Sequence, residues 1–105
     1  MTMARKKFQE YFPHIIKKFE KFSVAPKKIS IKKMKTRWGS CSRSGNISLN
    51  SELVKFPKQC IEYVMVHECC HLLVFSHNEE FYALQDSQMP DWKIWKEKLN
   101  VCAVL

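Results

Sequence analysis

The sequence predicts an α+β domain: a small antiparallel sheet of about three strands, packed on an N-terminal helix and on a buried helix that carries a histidine motif, with short helices towards the C-terminus. Three observations predict it. Apolar residues recur at helical spacing over 8–22, short alternating runs separated by turn residues fill 28–50, and residues 58–75 are apolar on nearly every face. At 105 residues the chain is expected to form a single domain, 1–105, around one modest core.

In the first element Phe8, Tyr11, Phe12, Ile15, Ile16, Phe19 and Phe22 alternate with lysines and glutamates in an amphipathic pattern. Pro13 falls inside it and should kink the helix or begin a second segment. Ala25-Pro26 breaks the pattern. Ile29 and Ile31 then alternate with polar neighbours as a strand, whose lysines would protect a sheet edge. Thr36–Cys41 reads as a second strand and Asn46–Asn50 as a third, joined by turn chemistry at Ser42-Arg43-Ser44-Gly45. Short connections favour an antiparallel meander. Asn50 or Ser51 can cap a short helical turn that Pro57 ends. The apolar run Lys58–Phe75 predicts the central helix, and 79–86 and 91–99 predict two more. Residues 101–105 form an apolar tail.

Composition narrows the function classes. The chain is 46% hydrophobic and 27% charged, which excludes a disordered segment. No stretch reaches the roughly 18 uncharged apolar residues of a membrane span, and 1–12 lacks the apolar core of a signal peptide. A cytoplasmic setting without membrane contact is expected. Five cysteines, two of them adjacent and none in a C-x-x-C pair, fit reduced thiols better than a disulfide framework or an all-cysteine zinc site. Twelve Lys/Arg against two Asp/Glu make residues 1–37 a +10 segment, whereas six against eight make the remainder −2. Such asymmetry can mark a nucleic-acid surface, but a solvated lysine face is the favoured reading.

Three of the four histidines lie within His67–His77, in HECCHLLVFSH. His67 and His71, four apart, share one helix face, about 40° apart around the axis and one turn along it. Two imidazoles so placed can converge on one cation. Glu68, about 100° around from His67, is displaced from the ligand position and suited to reach a water on the metal. His77, past the expected helix end, can supply a third ligand if the chain turns back; Glu79 and Glu80 are alternatives, and Cys70 is another on the ligand side of the helix. Three histidines with one open position make a catalytic zinc site for one ion. Bare imidazoles and a carboxylate in so apolar a helix would otherwise be costly. The chemistry that follows is water activation with Glu68 as general base and polarisation of a carbonyl by zinc. An extended peptide could add to a sheet edge, for which Asn46–Asn50 is the expected strand.

HECCH resembles the zincin motif. The run TRWGSCSRSGNISLNSELVKFP…IEYVMVHECCHLLVFSHNEEFY resembles the YgjP-like and SprT-like metal-dependent hydrolases and, in length and histidine third ligand, the minigluzincins, themselves similar to HtpX- and BlaR-type catalytic domains. The resemblance implies His67, His71 and His77 as zinc ligands, Glu68 as general base, and a gluzincin-like fold with the active-site helix beneath an edge strand. It also implies a peptide or unfolded-protein substrate, and it admits a zymogen whose C-terminal segment, 91–105 here, blocks the cleft in its own or a neighbouring molecule. Arg37–Cys41 matches a family strand motif, to which no catalytic role is attached. The expected function is therefore a zinc endopeptidase. Alternatives are a metal-dependent nucleotide or other non-peptide hydrolase, and a nucleic-acid-binding module in which zinc only stabilises the fold.

Overall fold

The computed structural model describes residues 2–102, with side chains described over 5–100. Its elements run α1 (Thr2–Lys18), β1 (Lys28–Lys32), β2 (Gly39–Cys41), β3 (Asn46–Asn50), α2 (Lys58–Cys70), α3 (Glu79–Gln88) and α4 (Trp92–Cys102), with short 3-10 turns at Glu20–Phe22 and Ser51–Lys55. The predicted α+β class is present. Phe8, Phe12 and Ile15 of α1, with Phe19 just beyond it, are buried as their spacing requires. Pro13 lies inside one continuous helix, so a second segment does not begin there.

The sheet corrects one expectation. Its order is β1-β3-β2, with β2 antiparallel to β3 but β1 parallel to β3. The sheet is mixed, and Asn46–Asn50 is its central strand, not an edge. The reason lies in burial. Ile47 and Leu49 of β3 are buried while every residue of β1 and β2 retains exposure, so the most apolar strand takes the centre. The loop 33–38 carries the chain past the end of β3 from one edge to the other. Lys28 and Lys32 stand exposed on β1, where they guard an edge.

The predicted second strand shortens to Gly39–Cys41 because its first carbonyls are taken elsewhere. The Asn50 side-chain amide donates to the Met34 and Arg37 carbonyls at 2.9 and 2.8 Å, while its oxygen accepts from the Glu52 amide at 3.0 Å, capping the turn Ser51–Lys55. One buried asparagine thus fixes the loop before β2 and the turn after β3. Gly45, at φ +94°, closes the hairpin in a conformation that side chains resist, with its N–H on the Ser42 carbonyl at 3.0 Å.

Helix α2 is the axis of the domain and packs against α1, α3, α4, β2 and β3. It ends at Cys70, not Phe75. The amides of Leu72 and Leu73 reach back three residues, to the Cys69 and Cys70 carbonyls at 3.0 Å, so the chain tightens and turns. An apolar run does not distinguish a buried helix from a half-buried turn. Asn78 caps α3, accepting from the Phe81 amide at 3.0 Å. Val101 and Cys102, expected in the tail, continue α4; the rest of the tail, 103–105, lies outside the described residues.

Candidate metal centre

His67 enters from the last turn of α2, His71 caps that helix, and His77 returns from the loop that follows. His77 Nε2 lies 3.1 Å from His71 Nε2 and 3.3 Å from His67 Nε2. The other ring nitrogens set the direction of these contacts. His71 Nδ1 stands 3.1 Å from the Val74 carbonyl, which can only accept, and His67 Nδ1 stands 2.8 Å from the side-chain oxygen of Gln85. With a hydrogen on each Nδ1, the Nε2 lone pairs of His67 and His71 both face inward. His77 can donate to one of them at most, so lone pairs crowd together unless a cation shares them. Tetrahedral zinc with nitrogens at 2.0–2.1 Å separates its ligands by roughly 3.3 Å, close to both separations from His77, and the three donor atoms all lie within 4.8 Å of one another. The donor set fits such an ion. Among the described residues these three histidines form the one cluster of this kind. Glu79 and Glu80 are exposed on α3 and Cys70 is buried, and none of the three joins the cluster.

Electrostatics prepares these groups. Burial, with help from neighbouring His71 and His77, pulls the His67 pKa down to about 4 against the opposing hydrogen bond from Gln85. Burial also lowers that of His71. Neutral imidazole is the form that binds metal. Glu68 is 5% exposed, and burial raises its carboxyl to about 7 while the Arg37 charge pulls the other way. Desolvation also raises the Cys69 and Cys70 thiols to about 12, so both act as small apolar residues.

The wall opposite α2 is β2. A Cβ on Gly39 would stand 3.0 Å from Val64 Cγ1 and 3.1 Å from Glu68 Cγ and Oε2. A side chain here would push on Val64 and Glu68 by a few tenths of an ångström, and glycine lets the strand lie close to the carboxylate without that shift. Arg37, Gly39, Ser40 and Cys41 face His67, Glu68, His71 and His77 across a cleft of about 340 Å³. At its far end the Arg43 guanidinium sits 4.9 Å from the Phe75 ring centroid, which ties the hairpin to the loop that delivers His77.

Sequence reasoning brought His67, Glu68, His71 and His77 to one place, and here they share one cleft. It missed Arg37, Gly39 and Gln85. Gly39 is one of only two glycines in the chain. Gln85 falls four residues after Phe81, on the buried face of α3. A polar residue at a core position was the available signal.

The profile of the YgjP-like metallopeptidase domain matches residues 1–101. The chain belongs to the YgjP-like metallopeptidase family. As a YgjP-like domain it is a hydrolase of peptide bonds that works with a bound metal ion. Among solved structures it is similar to the zymogen of abylysin from Pyrococcus abyssi (TM-score 0.71, 16% identity, 87% of this chain and 90% of that one). It is also similar to the zymogen of jannalysin from Methanocaldococcus jannaschii (TM-score 0.67, 18% identity, 97% of each chain). At these identities the likeness concerns the fold. No curated relative matches the sequence. Among the described residues of this YgjP-like domain, no helix is long and apolar enough to cross a membrane.

Proposed function

We propose that residues 1–105 form a single-domain zinc endopeptidase in which His67, His71 and His77 hold the ion and Glu68 is the general base. The observation that carries this reading is the convergence of three imidazole Nε2 atoms, 3.1 and 3.3 Å apart, beside a buried carboxylate. A zinc ion at this position supplies Lewis-acid polarisation of the scissile carbonyl and a lowered pKa for water. His67 and His71 contribute neutral nitrogens, each held in one orientation by its Nδ1 partner. Glu68, with its carboxyl raised to about 7, is poised to take a proton from the attacking water and return it to the departing amine. The extended substrate adds to the outer edge of β2, whose one neighbour in the sheet is β3.

The segment 91–105 is proposed to restrain activity, in the same molecule or between two. Both structural neighbours are metallopeptidase zymogens, and α4 packs against α2, the helix that carries the motif. The free thiols of Cys41, Cys69 and Cys70 suit a reducing compartment, and the proposed setting is the cytoplasm.

The test is digestion of an unfolded protein by the zinc-loaded chain, at full length and without 91–105, each beside its Glu68→Gln partner. Cleavage is expected to vanish with Glu68→Gln and to rise on truncation. A folded, zinc-loaded chain that cleaves in neither form overturns the peptidase reading; equal cleavage by a still-folded truncation overturns the latency.

A further inference from the structure

The histidine cleft has a larger neighbour. A groove of about 870 Å³ opens beside it, between the loop that precedes β2, the turn that precedes α2, and α4. Its walls are apolar: Met34 and Pro57 border it, and Trp38 packs edge-on against Phe56 with ring centroids 5.1 Å apart. Its rim is basic, with Lys35, Arg37, Lys55 and Lys98 against the single acid Glu52. Glu52 is already occupied, because Lys55 Nζ bonds its carboxylate at 2.6 Å. Lys35 and Lys98 form no ion pair with a carboxylate among the described residues, and Arg37 stands between them and Glu68, on whose carboxyl its charge acts. Two unpaired lysines and the Arg37 guanidinium over an aromatic wall suit a ligand with a short aliphatic stem and a negative end.

The groove is also continuous with the candidate catalytic cleft. Arg37 and Trp38 line both the groove and a depression of about 240 Å³ that contains Gly39, His67 and Glu68. Arg37 and Gly39 lead on into the histidine cleft itself. The trough passes from the loop that precedes β2 to Gly39 at the start of that strand, and a strand added to β2 would present alternate side chains to the same face. Asn50 holds the loop that forms the rim, through the Met34 and Arg37 carbonyls, so the cations are carried on a fixed support.

We propose that this groove is a substrate subsite that selects an acidic side chain, Asp or Glu, at a fixed distance along the peptide from the bond to be cut. The inference rests on the peptidase reading and names the substrate class for that site. Lys35 and Arg37 meet the carboxylate, Lys98 adds to the field while the segment 91–105 is in place, and Trp38 and Phe56 pack on its methylenes.

Two measurements test it, with Lys35→Glu and Lys98→Glu as variants, both exposed positions whose folding circular dichroism verifies. In the first, cut sites in an unfolded protein mixture are mapped by mass spectrometry. Asp and Glu should be enriched at one fixed position, and the ratio of acidic to amide residues there should fall about tenfold in each variant, as expected when exposed ion pairs become repulsions. An even distribution, or an enrichment that both variants retain, overturns the proposal. In the second, peptides with Glu or Gln at matched positions are titrated onto the full-length Glu68→Gln chain while tryptophan fluorescence is followed. This measurement needs no catalysis, so it decides the subsite even where cleavage is absent. Tighter binding of the Glu peptide, lost in the Lys variants, supports the proposal. Equal binding, or displacement of the Glu peptide by a lower concentration of an oligothymidylate, overturns it in favour of a neutral groove or a nucleic-acid surface.

Discussion

The two ends of α2 lie in one buried helix and serve opposite purposes. In the first half Cys60, Ile61, Val64 and Met65 are at most 4% exposed and join the core shared with α1 and α4. Their burial stabilises the fold in proportion to apolar area. In the second half Glu68 and His71 are nearly as deep, at 5% and 9% exposed, but these polar groups lose water by folding. Burial moves both away from their charged forms. The difference shows that the apolar half supports a helix whose polar half would not stabilise itself. A site assembled against the local energy gradient reads as functional.

The comparison can be broken most sharply at Glu68. Glu68→Gln should reduce peptide cleavage by roughly 10²–10⁴-fold, the usual contribution of a general base, and should stabilise the metal-free fold. The folded carboxyl holds its proton up to about pH 7, whereas the unfolded one releases it near its ordinary value of 4.5. The native state therefore binds the extra proton in that window, and Glu68 lowers stability as pH rises through it. Urea unfolding in chelator should show the variant gaining about 3 kcal/mol at pH 8 and almost nothing at pH 4.5. An equal gain at both pH values would mean that the carboxylate is not the source.

At the other end, Ile61→Ala should cost about 2–5 kcal/mol of stability through lost burial and a residual cavity. Zinc stoichiometry by atomic absorption should not change, because Ile61 lies six residues before His67 in α2, in the apolar half of the helix. Loss of the metal from a still-folded variant would show that the two halves are not separable.

A smaller effect sharpens the boundary between them. Gln85 is fully buried, accepts from His67 and leaves its Nε2 without a hydrogen-bond partner. An unpaired buried amide costs about 1–3 kcal/mol. Gln85→Leu should leave the unfolding midpoint unchanged or raise it, while zinc affinity, read by chelator competition, falls about 10–100-fold. Unchanged affinity would show that His67 needs no orienting partner.

Much of this was legible in the residues. The spacing His67–His71 placed two rings on one helix face, and the aromatic periodicity of 8–19 located α1. Alternation marked β1 and β3, and the helix expected from residue 79 begins there as α3. What was not legible shares a physical cause. Which edge β1 joins depends on burial across strands, and no local pattern encodes it. The end of α2 at Cys70 depends on carbonyls turned towards the following loop. The roles of Gly39 and Gln85 depend on what stands 3 Å away from them in space.

The sequence by itself determined the chemistry: which side chains can bind a late divalent cation, which can move a proton, and that the helix carrying them must be buried. Those properties follow from residue type and helical period, which are local. The tertiary structure alone decided where that chemistry opens to substrate. It placed β2 over Glu68, brought His77 back under the helix end, and joined the cleft to a basic aromatic groove. These are contacts between residues far apart in the chain, and the free energy of packing selects them.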